Sequence, residues 1–274
     1  MILRASNPKD SLEMMKYGKT KGMILVNKYL PDLSLYKKLI IVRTPEEFDE
    51  IKYELPERFF VRVDSPIGLP YLSNPGRWAT KENAVEFIEE VNYKSKDSVT
   101  VCMDELDYVG DRIDTRGGFN IHFSIAEAMF IDYVGPGFDP AEITKGQAAH
   151  ESWRIPYDDI PFLKSHLMTK YKVLQISNKE YKETIKKRKE VLLENHPERY
   201  EDIKKISKKY RKCSHDIFEL ILEQIIFPLW LKQDELINDK LIEFGVQLCI
   251  TKENKLAVFE INRPERMKSI ELEN

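Results

Sequence analysis

Near the end of the chain, Gln247, Glu260 and Asn262 place one carboxylate and two side-chain amides in the stretch GVQLCITKENKLAVFEINRPER. A hard cation such as magnesium takes oxygen ligands and commonly shares them with phosphate groups. A carboxylate and an amide two residues apart on one strand face suit it. The stretch alternates in polarity on either side of Lys252-Glu253-Asn254-Lys255, which reads as a β-hairpin. A two-residue turn at Glu253 and Asn254, with Asn254 at positive φ, sets Gln247 across from Glu260 and Cys249 across from Val258. Val246, Leu248, Ile250, Ala257, Phe259 and Ile261 then form an apolar face, and the other face ends in Gln247, Glu260 and Asn262.

Upstream elements must hold such a hairpin in place. Leu39–Val42 reads as a strand, followed by a brief helix that Thr44 caps and Pro45 opens. Phe59–Val63 reads as a strand running into a loop broken by Pro66, Gly68 and Pro70. Thr80 reads as the cap of a helix whose Ala84, Phe87, Ile88 and Val91 recur at helical spacing, and Ser98–Met103 as the next strand. Phe119–His122 and Ala128–Val134 read as paired strands ended by Gly135-Pro136-Gly137. From about 161 to 244 the pattern turns helical, with charged helices through KEYKETIKKRKEVLLEN and ERYEDIKKISKKYRK and an apolar one capped by Ser214.

Bulk properties narrow the classes. The 274 residues, 42% hydrophobic, suffice for one large domain or two small ones. Forty-three basic against 46 acidic residues leave a net charge of −3, which argues against a general nucleic-acid binder. Cys102, Cys213 and Cys249 are too few and too scattered for a disulfide framework or a zinc site, and point to a reducing cytoplasm. The first residues lack the apolar run of a signal peptide, and Ile217–Leu231 carries Glu219, Glu223 and Pro228, so no membrane segment is expected.

The hairpin resembles the C-terminal metal-binding hairpin of the ATP-grasp superfamily, which includes D-alanine ligases, biotin carboxylases and the nucleotide-binding part of phosphoenolpyruvate synthases. There an acid on the first strand is followed by Glu-x-Asn on the second. Glu260-Ile261-Asn262 fills the second place here, and Gln247 stands at a spacing similar to that of the first acid. The resemblance implies an α+β, ATP-grasp-like fold: two subdomains with antiparallel sheets clasping ATP, plus a helical insertion. It also implies magnesium held by Gln247, Glu260 and Asn262. Gln247 is a departure, offering an oxygen without charge. The family often follows its asparagine with proline and then arginine; here Arg263 precedes Pro264, and Arg263 or Arg266 is the candidate to reach a phosphate or a substrate carboxylate.

A second segment agrees. VRVDS, the loop beyond it and the following helix resemble the family's strand, lid and helix, so that Arg62 would clamp phosphate oxygens, with Ser65, Ser73 and Arg77 as further donors. Val99–Met103 with Asp104-Glu105-Leu106-Asp107 resembles the hinge that reads adenine and holds the ribose; Asp104, Glu105 and Asp107 stay equal candidates for the latter. GGFNIHFSIAEAMFIDYVGPGFD resembles the next pair of strands in that subdomain. The likeness covers roughly residues 35–135 and 240–266. The expected organisation is an N-terminal segment over 1–36, a first subdomain over 37–135, and a second over 136–274 that contains the insertion and the hairpin. The family's further N-terminal domain is expected from a protein partner, or to be replaced by the helical block.

Other features carry less. His150-Glu151 lacks the second histidine of a zinc peptidase, though His150 with Arg154 and Lys145 is a candidate neighbour of phosphates. Ser214-His215-Asp216 are adjacent in sequence, whereas a triad converges in space. The leading expectation is a Mg-ATP-dependent ligase that activates a carboxylate as an acylphosphate for attack by an amine or other nucleophile. Its rivals are a catalytically degenerate ATP-binding protein, marked by Gln247, and a nucleic-acid-binding module using the basic helices between Tyr171 and Lys212.

Overall fold

Two antiparallel sheets with helices, one in each of two units, make up the fold. The computed structural model describes residues 2–67, 76–94, 98–105, 115–138, 140, 149–208, 211–251 and 253–262. The units are Met1–Gly110 and Asp111–Asn274. The result is the α+β architecture of two antiparallel-sheet units expected from the sequence.

In the first unit, β1 (Leu3–Arg4), β2 (Tyr36–Val42), β3 (Arg58–Asp64), β4 (Gly76–Thr80) and β5 (Val99–Glu105) form a sheet in the order β1-β2-β5-β3-β4. Helices α1 (Pro8–Met14) and α2 (Gly18–Tyr29) precede β2. Helix α3 (Pro45–Ile51) lies between β2 and β3, and α4 (Asn83–Lys94) between β4 and β5. Thr44 caps α3 by accepting from the Glu47 amide, and Pro45 occupies its first turn, as read from the sequence. Alternate residues of the strands, including Ile40, Phe59, Val61, Ala79 and Cys102, bury against Phe48 and Ile51 of α3 and Phe87 and Ile88 of α4. Thr80, expected as the cap of α4, is instead the last residue of β4; the helix starts three residues later, and Asn83 Oδ1 accepts from the Thr80 amide.

In the second unit, β6 (Gly118–Ser124) and β7 (Ala128–Val134) form the expected hairpin. They sit in a six-stranded sheet, β11-β10-β6-β7-β8-β9, with β8 (Glu151–Pro156), β9 (Lys172–Gln175), β10 (Glu243–Ile250) and β11 (Leu256–Asn262). The boundary expected at 135/136 therefore falls at 110/111: the chain returns after its helices to pair β10 with β6, which draws the β6–β7 hairpin into the second unit. Strands β8 and β9 were not expected.

The helical stretch holds α5 (Met168–Tyr171), α6 (Asn178–Asn195), α7 (Tyr200–Lys205), α8 (His215–Ile221), α9 (Phe227–Leu231) and α10 (Gln233–Asn238). Helix α6 opens with a full capping box of Ser177 and Glu180, and Ser214 caps α8. A π-helical turn over Leu222–Ile226 joins α8 to α9 just ahead of Pro228, whose missing N–H breaks the ordinary ladder. The basic helix expected from Glu198 to Lys212 is much shorter, ending at Lys205. Trp153, Ile131, Ile121, Val246 and Ile261 form one buried row across the sheet, and the Trp153 ring meets Phe218 of α8 at 5.4 Å. The helical insertion thus supplies a core for one face of the sheet. Among the described residues, no helix is long and apolar enough to cross a membrane. All three cysteines are buried free thiols.

Candidate functional site: a polar row across the second sheet

The hairpin β10–β11 closes differently from expectation. Thr251 N bonds Lys255 O and Asn254 N bonds Thr251 O, so the pairing reaches Thr251 and Lys255, with Asn254 at φ 61°. Asparagine tolerates this left-handed conformation. The register near the turn is offset by one from the expected one, and Cys249 faces Ala257 rather than Val258. A bulge at Phe259 then takes up one residue on β11, and beyond it Gln247 faces Glu260 and Val246 faces Ile261. The expected juxtaposition survives through two compensating irregularities.

Directly opposed residues project to the same face of a sheet, so the pairings can be followed strand by strand. From Glu260 on β11 the row runs through Gln247 on β10, Asn120 on β6 and Asp132 on β7 to Ser152 on β8. The neighbouring row on that face holds Asn262, Gly245, His122, Phe130 and Arg154. Glu260 and Asn262 are 5% and 8% exposed although β11 is an edge strand, and Asn262 Nδ2 donates to Glu260 Oε1 at 2.5 Å. That bond uses one of the asparagine's two N–H donors and leaves its carbonyl oxygen for another partner.

Asn120, 3% exposed, holds its Oδ1 buried without a hydrogen-bond partner. Asp132 Oδ1 accepts from the Ser152 hydroxyl at 2.5 Å. Burial raises the Asp132 pKa, with Ser152 and His122 opposing the shift. Burial likewise lowers that of His122, against the pull of Glu243 and Asp132, so the imidazole is neutral at pH 7.

Gln247, Glu260 and Asn262, singled out from the sequence, are thus brought together. Asn120, Asp132, Ser152 and His122 were missed, although polar residues alternate with apolar ones in GFNIHFS and Asp132 is the one acid in AMFIDYV. Among the described residues no group of three or more His, Cys, Asp or Glu side chains could hold a metal. The donors in this row are oxygens with one carboxylate at the hairpin end. They fit a magnesium ion that arrives on phosphates better than a free-standing metal site.

In the first unit, Arg62 on β3 is half-buried; its Nε is buried without a partner, and the residue across from it on β4 is Gly76, over which the Phe60 ring lies. Arg77 pairs with Val61, so it lies on the opposite face from Arg62, where it donates to Asn83 O and covers the Phe87 ring. The two arginines expected at one phosphate site do not share a face. Ser65 Oγ is engaged with Ser98 Oγ at 3.1 Å. Asp64, read as a loop residue, is fully buried at the end of β3 and accepts from the Lys19 and Thr20 amides and the Thr20 hydroxyl, capping α2.

Asp104 and Glu105 belong to β5, which runs two residues further than expected, and Asp104 shares the alternation of Cys102, toward α3 and α4. The side chain of Glu105, and Asp107, Arg263, Arg266, Ser73 and Lys145, lie outside the described residues. His150 is no phosphate neighbour: it is buried against Phe138 and Tyr181, accepts from the Gly135 amide at 2.9 Å, and its pKa is pushed down to about 4 by burial.

Neither known protein families nor curated proteins match the sequence. Among solved structures, D-cycloserine synthetase DcsG is similar over 92% of this chain and 64% of its own, with a TM-score of 0.38 and 10% identity. The chain therefore spans less than two thirds of that protein's length, and at this TM-score the likeness bears on neither site nor activity.

Proposed function

We propose that the hairpin end of this row holds the phosphates of ATP with magnesium, and that the chain is a ligase activating a carboxylate as an acylphosphate for attack by an amine or other nucleophile. The observation that carries this reading is the buried, hydrogen-bonded pair Glu260–Asn262 directly beside Gln247, on a hairpin whose irregularities keep all three on one face. Glu260 supplies the charge, and the amide oxygens of Asn262 and Gln247 supply neutral donors. Magnesium, when bound, would neutralise phosphate charge and orient the terminal phosphate. The protein's own part is positional: the Asn262 amide fixes the Glu260 carboxylate, and the buried apolar row beneath it holds β11 rigid. The first unit, taken by itself, offers Arg62 for a phosphate contact, a half-buried cation with an unpartnered Nε. A partner chain supplying an acceptor-binding domain belongs to the same proposal.

The test is ADP release from Mg-ATP across a panel of carboxylates with hydroxylamine present to trap an acylphosphate as its hydroxamate. Carboxylate-dependent ADP and hydroxamate, both lost in Glu260→Ala, are expected. Gln247, uncharged where an acid would strengthen the metal position, favours a second reading: an ATP-binding protein without turnover. ATP binding with neither product would establish it.

A further inference from the structure

Beyond the hairpin, the row continues into residues that the phosphate end does not use. Asn120 and Asp132 are directly opposed on β6 and β7. Asn120 is nine-tenths buried with an unpartnered carbonyl oxygen, and Asp132 is half-buried, bonded to the Ser152 hydroxyl and without an ion-pair partner among the described residues. Among the described residues, Asn120 Oδ1 has no donor, and the side-chain donor to Asp132 is the Ser152 hydroxyl on its far side. Among the described residues, the other charged groups and the histidine on the same face are Glu260 at the hairpin end of the row, His122, neutral through burial, Glu243 beyond it, and Arg154, which lies over the Phe130 ring at 5.7 Å. A carboxylate partly removed from water and an orphaned amide oxygen are both satisfied by one donor-rich cation.

We propose that Asn120 and Asp132 form a subsite for a primary ammonium group: the acceptor amine is held there as its ammonium ion, gives one proton to the Asp132 carboxylate, and with its lone pair freed attacks the acylphosphate carbonyl carbon, from which phosphate departs. By strand spacing, β6 lies roughly 5 Å and β7 roughly 10 Å from the strand of Gln247. That separation sets a short aliphatic amine beside the phosphate end of the row. Asp132 supplies the charge complement, Asn120 Oδ1 a second acceptor, and Ser152 fixes the carboxylate. Calling the amine the acceptor substrate rests on the ligase reading; the ammonium subsite itself does not.

The probe is n-butylamine at pH 7.5, titrated into the full chain and followed by the side-chain amide signals of Asn120 and the ring signals of His122, with 1-butanol as the uncharged control. Butylammonium is expected to move both sets of signals and butanol neither. Asp132→Asn should weaken binding at least about tenfold through loss of a charge-assisted bond, and Asn120→Asp, which adds a second carboxylate, should tighten it. Equal affinity in Asp132→Asn, an equal response to butanol, or weaker binding in a folded Asn120→Asp would overturn the subsite. So would manganese broadening the Asn120 signals without nucleotide and being lost in Asp132→Asn, since that marks a metal position. Mg-ATP binding to the native chain is measured in parallel. Ammonium binding without it leaves the subsite standing and removes the ligase reading; the reverse result removes the subsite alone.

Discussion

Gln247 stands directly across from Glu260, although the pairing nearer the turn, where Cys249 faces Ala257, is offset by one. A one-residue slip turns every side chain of a strand to the other face, so the bulge at Phe259 decides whether Glu260 and Asn262 lie beside Gln247 or point into the core.

The loop end of this arrangement depends on Asn254, at φ 61° with its Oδ1 accepting from Arg116 at 2.6 Å. Both Asn254→Ala and Asn254→Gly lose that bond, but only alanine meets the left-handed penalty. Asn254→Ala should be less stable than Asn254→Gly by about 1 kcal/mol in denaturant unfolding. Equal stabilities would show that the loop does not need the left-handed residue.

Arg62 is expected to separate stability from binding. A half-buried guanidinium with an unpartnered Nε contributes little to folding, so Arg62→Met should keep unfolding free energy within about 1 kcal/mol of the native chain or raise it. Phosphate affinity, read by titration with pyrophosphate, should fall at least about tenfold. Strong destabilisation with unchanged affinity would make Arg62 a structural residue.

His150 should make part of the stability acid-sensitive. Its folded pKa of about 4 lies below the ordinary 6.5, so between those values the unfolded chain binds more protons and stability falls as pH drops. Asp132, whose pKa burial raises, works in the opposite direction, so the comparison must isolate His150. His150→Gln keeps an acceptor for the Gly135 amide without titrating. The stability gap between native and variant should change by roughly 3 kcal/mol between pH 7 and pH 4, with the native chain losing its advantage. Parallel curves would contradict the buried neutral imidazole.

What the sequence made legible was local. Thr44 and Ser214 lie beside the helices they cap, and Asn254 announces a positive φ in the residues around it. Gln247 and Glu260 sit on one hairpin, and alternation alone pairs them correctly even with the wrong turn. Asn120, Asp132 and Ser152 join the row only because β10 returns to β6 across more than a hundred residues and β8 adds to β7, pairings fixed by tertiary packing. The same non-local return moved the unit boundary. Arg77 was misplaced because strand β4 begins at Gly76, and alternation from there turns it away from Arg62.

The most direct test of the phosphate site is calorimetric titration of ATP with and without magnesium into the native chain, Gln247→Glu, and the double variant Glu260→Ala with Asn262→Ala. Binding that requires magnesium, tightens in Gln247→Glu through the added carboxylate, and vanishes in the folded double variant is the expected result. Magnesium-independent binding, or binding that survives in the double variant, would contradict the placement of ATP on this hairpin.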